Sequence, residues 1–142
     1  MYSNDRKVLR QHFIDAWQKA NDKKPLDPLE AVLVDIISLH PEYHPLLRQG
    51  EQALTRDWQP EHGETNPFLH MSLHVAVREM VLAKRPAGIE IEYKRLCDYF
   101  RDVMDAEHAI MDCLAEAMWQ AQRNGREPDQ DGFMQCVRQI GR

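Results

Sequence analysis

Apolar residues recur every three to four positions through most of this chain, and no segment alternates apolar and polar side chains over a useful length. That period is the helical one. The nearest approach to a strand is Gly88-Ile89-Glu90-Ile91-Glu92-Tyr93. A longer stripe at helical spacing, Ile89, Tyr93, Leu96 and Phe100, overrides it. A chain patterned in this way buries its apolar faces by packing helix on helix. The expected fold is all-α, a bundle of five or six helices forming one domain over residues 1–142.

The helix boundaries are written in turn chemistry. A first helix should span about Asn4 to Ala20, with Leu9, Phe13, Ala16, Trp17 and Ala20 on its apolar stripe and Lys23, Lys24 and Pro25 ending it. Asp27, Pro28 and Glu30 form an N-cap, a first-turn proline and a capping-box acid. The second helix then runs to Leu39 or His40, where Pro41 limits it. Between His40 and Gln59, the residues Pro41, Pro45 and Gly50 predict short helical turns, and Pro60 adds a further break. Glu61 to Thr65 reads as a loop. Asn66 and Pro67 repeat the cap-then-proline signal for a third helix to about Lys84. Pro86 and Gly88 precede the Ile89 stripe, which continues to Gln122 with a break near Arg101 to Asp105. Asn124 and Gly125 supply a stop, and a last helix covers about Asp129 to Ile140.

Composition enters as exclusion. Of the 142 residues, 43% are hydrophobic and 29% charged, which argues against disorder. The net charge of -5 is not the footprint of a nucleic-acid binder. The polar start, Met1 to Lys7, lacks a signal-peptide core, and apolar runs as short as Ala31 to Val34 do not span a membrane. Cys97, Cys113 and Cys136 form no CxxC pair and no disulfide framework; they read as reduced structural thiols in a cytoplasmic protein. No phosphate loop and no Gly-x-Ser-x-Gly elbow is present.

The candidate chemistry lies in polar residues that point inward at roughly 100° per residue. On the third helix, Ser72, Ala76, Glu79 and Ala83 share the outward side, while His70 and His74 project with Val77 and Val81. Two histidines four apart on a buried face can bind one metal ion. Glu107 falls within the apolar face made by Val103, Ile110, Met111, Leu114 and Met118, with His108 at its flank and Asp112 near the solvent side. A buried carboxylate needs a donor, a cation or a metal. On the second helix His40 continues the face of Leu29, Val32, Leu33, Ile36 and Ile37, and His44 follows four residues later. The candidate metal set is His70, His74, Glu107 and His40, with His44, His108 and Asp112 as further ligands or orienting partners. Such nitrogen and oxygen donors suit zinc or non-haem iron. The alternative is structural: Glu107 pairs with Arg78, His70 or His74 and fixes the packing. His12 and His62 carry no special signal, and the methionines and Trp17, Trp58 and Trp119 read as core or rim residues.

Several of these strings together resemble a bacterial family known as domain of unknown function 1841. They are His40-Pro41-Glu42-Tyr43-His44, Asn66-Pro67-Phe68-Leu69-His70-Met71-Ser72-Leu73-His74, Arg85-Pro86-Ala87-Gly88-Ile89, Glu107-His108-Ala109-Ile110-Met111-Asp112-Cys113-Leu114 and the Trp119 to Asp129 region. The resemblance covers most of the chain and implies no established activity. It also implies a further histidine one turn before His108, where this chain has Met104.

Two functional readings follow. One is a metal-binding helical protein, extending to a metal-dependent enzyme acting on a small molecule. The other is a protein-interaction or assembly module whose buried histidines and glutamate are structural. Neither involves nucleic acid or membrane, and the oligomeric state is not encoded in any feature of the sequence.

Overall fold

The structure, a computed structural model, describes residues 2–58 and 66–142, with side chains from residue 6 onward. The loop expected over 61–65, His62 within it and the break at Pro60 lie outside the described residues. All regular structure among the described residues is helical: α1 (Tyr2–Asn21), α2 (Pro28–Ser38), a 3-10 turn (Pro41–Tyr43), α3 (His44–Arg48), α4 (Glu51–Thr55), α5 (Pro67–Ala83), α6 (Ile89–Phe100), α7 (Val103–Asn124) and α8 (Gln130–Gln139). The expected five or six helices become eight among the described residues, because the short turns expected after His40 include two α-helices of five residues each. No helix among the described residues is long and apolar enough to cross a membrane.

The starts follow local chemistry. The Asp27 carboxylate accepts from the Glu30 amide at 2.7 Å, and the Glu30 side chain accepts from the Asp27 amide at 3.0 Å, a complete capping box. Asn66 Oδ1 accepts from the amides of Phe68 and Leu69 and caps α5. Asp102 caps α7 through the amides of Met104 and Asp105. The break expected between Arg101 and Asp105 is therefore a helix end and a new N-cap two residues long. α7 stops at Gly125, whose φ of 62° is the left-handed conformation that a side chain resists.

The chain forms two compact units, residues 1–72 and 73–142, and the division falls inside the unbroken helix α5. In the first unit α1 packs on α2, α3 and α4. Phe13, Ile14 and Ala16 of α1 are buried, as are Leu33, Ile36 and Ile37 of α2 and Leu46 and Leu47 of α3. Leu9 and Leu29, expected on inward stripes, are exposed among the described residues. Arg10 is the surprise on α1: it is 1% exposed. Its guanidinium donates to the carbonyls of Ala53 and Leu54 at 3.1 Å and of Arg56 at 2.8 Å, so a cation satisfies the carbonyls left open at the end of α4. It also lies 5.1 Å from the Trp58 ring and 5.2 Å from the Phe68 ring.

In the second unit α7 packs on α6 and α8. Val77, Ile89, Leu96, Ala106, Ile110, Met111, Phe133, Met134 and Val137 form one buried cluster. The outward side of α5 is as expected at Glu79 and Ala83, which are exposed, and half-buried at Ser72 and Ala76. On α7, Val103 and Met118 are exposed while Ala106, Cys113 and Ala121 are buried. The buried face is thus rotated toward the small side chains that let α6 and α8 approach. The reading of all three cysteines as reduced thiols is corrected here. Cys113 on α7 and Cys136 on α8 form a disulfide with Cα atoms 5.9 Å apart, and Cys97 is free. Their separation of 23 residues hid the pairing, since only the packing of α8 on α7 brings the two side chains together.

Candidate metal centre

α5 carries two histidines one helical turn apart, and each has a second histidine as its neighbour. In the first unit, His40 stands with its ring 5.0 Å from that of His70, edge to face. His40 lies just past the end of α2 rather than within it, with φ -127° and ψ 66°. The helical face therefore does not position it, as the sequence suggested; a hydrogen bond does. His40 Nδ1 lies 2.7 Å from the Ile36 carbonyl, and the ring stacks on Tyr43 at 5.2 Å. A carbonyl only accepts, so Nδ1 carries the proton and Nε2 carries the lone pair.

In the second unit, His74 is fully buried, with its ring 4.9 Å from that of His108 on α7. His74 Nδ1 lies 2.8 Å from Glu107 Oε1. The carboxylate likewise accepts, which in the neutral ring again leaves Nε2 as the lone-pair nitrogen.

Glu107 is fully buried and held by three donors. His74 donates to Oε1, the Tyr93 hydroxyl donates to Oε2 at 2.5 Å, and Arg78 Nε donates to both oxygens at 3.3 and 3.1 Å. Burial pushes the Glu107 carboxyl up. Donation from His74 and Tyr93 and the Arg78 charge outweigh that and hold it below the usual carboxylate range. Burial, and then the bond to Glu107, push the Tyr93 phenol far above its ordinary value, so its proton stays on as donor. Arg78 and His74 are two of the three partners, with His70, that the structural alternative offers for Glu107. Tyr93 is not among them, although a tyrosine on an otherwise apolar stripe signals a hydroxyl in need of a partner.

One ligand nitrogen from each of His40, His70, His74 and His108 lies within 4.8 Å of those of the other three, a set that can hold a metal ion. His44 is placed elsewhere. Its Nε2 donates to the Ile37 carbonyl at 2.9 Å, and its ring packs on Trp17 at 4.4 Å. It ties α3 back to the end of α2. Glu107 stands behind His74, and Asp112 is exposed on α7. Met104 sits in the first turn of α7, one turn before His108, and adds no nitrogen to the group.

No curated protein and no solved structure shows significant similarity to the chain. A family match covers residues 5–139, nearly the whole length, and the chain belongs to that family, described as Domain of unknown function (DUF1841).

Proposed function

We propose that this protein binds one divalent metal ion through His40, His70, His74 and His108. The observation that carries the reading is the commitment of two ring nitrogens. His40 Nδ1 is bound to a carbonyl and His74 Nδ1 to a carboxylate. Both rings are thereby fixed in the tautomer that offers Nε2 to a metal, the usual way a ligating histidine is oriented. Four imidazoles with no anionic donor favour a borderline ion, zinc or ferrous iron, over magnesium or calcium. Glu107, with both oxygens engaged by His74, Arg78 and Tyr93, acts as the orienting partner of His74 rather than as a ligand.

A metal-dependent enzyme acting on a small molecule is the further extension of this reading. It requires a coordination position that the histidines leave open.

The test is metal analysis of protein purified without an affinity tag, followed by titration with zinc and ferrous iron. The expected result is about one equivalent per chain, as a single site requires. His74→Ala should lose it. Protein that stays metal-free after both titrations overturns the proposal. With cobalt(II) in the site, a spectrum that shifts on adding a small anion identifies an open position. An unchanged tetrahedral spectrum identifies a closed, structural site.

A further inference from the structure

The disulfide between α7 and α8 is not sealed in the core. A cleft of about 430 Å³ is lined by Cys113, Phe133 and Cys136. Cys113 is buried, whereas Cys136 is partly exposed. Exchange needs a thiolate to reach one sulfur of the bond, and of the two cysteines that line the cleft Cys136 is the more exposed. The approach is also charged. Glu116, Glu127 and Asp129 line the cleft against one cation, Arg126. The thiolate of an anionic thiol, doubly charged, is repelled most by this rim, that of a neutral thiol less, and the zwitterion of a cationic thiol least.

α8 does not depend on the bond alone. Phe133, Met134 and Val137 are buried in the core of the second unit. Arg95 on α6 donates to the carbonyls of Val137 at 3.1 Å and Ile140 at 2.8 Å. Opening the disulfide therefore leaves α8 in place, with both sulfurs near enough to close again.

We propose that Cys113–Cys136 is a reversible thiol–disulfide exchange site whose reductant is a thiol of neutral or cationic character. The incoming thiolate attacks Cys136 Sγ, the Cys113–Cys136 bond breaks, and Cys113 leaves as a thiolate. A second thiolate attacks the incoming sulfur of the mixed disulfide and releases Cys136. The two protein thiolates take protons from water. Two electrons pass to the chain, and the reductant departs as its own disulfide. Cys97 takes no part, since burial, and then the nearby carboxylates, push its thiol up and away from the reactive form.

The experiment uses the full chain carrying Cys97→Ser, oxidised, with a chelator present so that metal–thiol binding does not contribute. Its reduction by cysteamine, 2-mercaptoethanol and 2-mercaptoethanesulfonate is followed by alkylation and mass, with rates expressed per thiolate. Cationic should exceed neutral, and neutral should exceed anionic, by about threefold per step at low salt, with the spread shrinking as salt screens the rim. With cystamine, Cys113→Ser should give an adduct at Cys136 at least about tenfold faster than Cys136→Ser gives one at Cys113, as exposure dictates. Equal or reversed rates among the three thiols overturn the proposal. So does a faster adduct at Cys113, or an unmodified chain that keeps three free thiols after mild oxidation. The wild-type oxidation and the three-thiol series need no substitution at either bridging cysteine, so a misfolded variant cannot hide the answer.

Discussion

Glu107 and Arg10 are both withdrawn from water, and each is held there by several charge-assisted hydrogen bonds. Glu107 receives His74, Arg78 and Tyr93. Arg10 donates to three carbonyls at the end of α4. Their substitutions should differ in kind. Arg10→Met keeps much of the volume but strands those carbonyls, and should destabilise the protein by about 3 kcal/mol in urea denaturation. Metal binding need not change in proportion. Glu107→Gln keeps the shape but loses the charge that faces Arg78 and one of the two acceptor oxygens that His74, Arg78 and Tyr93 share. It should weaken metal binding by about 10- to 100-fold in a competition titration. Tyr93→Phe removes one of three donors and should cost about 1–2 kcal/mol with metal stoichiometry intact. Equal loss of metal in Tyr93→Phe and Glu107→Gln would count against an orienting role for the carboxylate.

At the scale of elements, caps and stops decide where helices lie, and thereby which side chains can meet. The capping box at Asp27 begins α2 at Pro28, and a helix begun there places Ile36 and its carbonyl under His40. Asp27→Ala should cost about 1 kcal/mol, the usual worth of a cap, measured as a shift in the denaturation midpoint. Gly125 gives a cleaner case, because a Cβ built there meets nothing within 4 Å. Any loss in Gly125→Ala is then backbone strain at φ 62°, about 1 kcal/mol. A neutral result would mean that the end of α7 relaxes to another conformation.

For the whole molecule, the two stabilisers outside ordinary packing are the proposed metal and the disulfide. A ligand that binds only the folded chain raises the melting temperature by mass action. Saturating zinc should therefore raise it and chelator should lower it. His70→Ala should melt like chelated wild type and respond to neither treatment. An unmoved melting temperature together with zero metal content would leave the histidines as packing residues. Closing a loop of 23 residues of separation is worth about 3 kcal/mol in the chain-entropy account. Reduction should lower stability by about that amount while the far-ultraviolet circular dichroism remains helical.

Much of this was written along the chain. The 3.6-residue period fixes an all-α fold because an apolar stripe can be buried only on its own side of a helix. Asp27, Asn66 and Gly125 mark helix ends because capping involves residues within three or four positions. The inward aim of His70, His74 and Glu107 follows from the same local geometry, which left Arg78, His70 and His74 all open as partners for Glu107. Tertiary structure decided what lies across space rather than along sequence. His40 reaches its place through a carbonyl bond beyond the end of α2, while His44 is taken up by Ile37 and Trp17. Glu107 receives Tyr93 from α6, 14 residues away, a partner that no pattern along α7 names. Arg10 is buried because α4 ends above it, and Cys113 meets Cys136 because α8 packs on α7. Periodicity gives the direction of a side chain about its own helix axis, but which group waits there depends on how the helices pack, and no local pattern carries that.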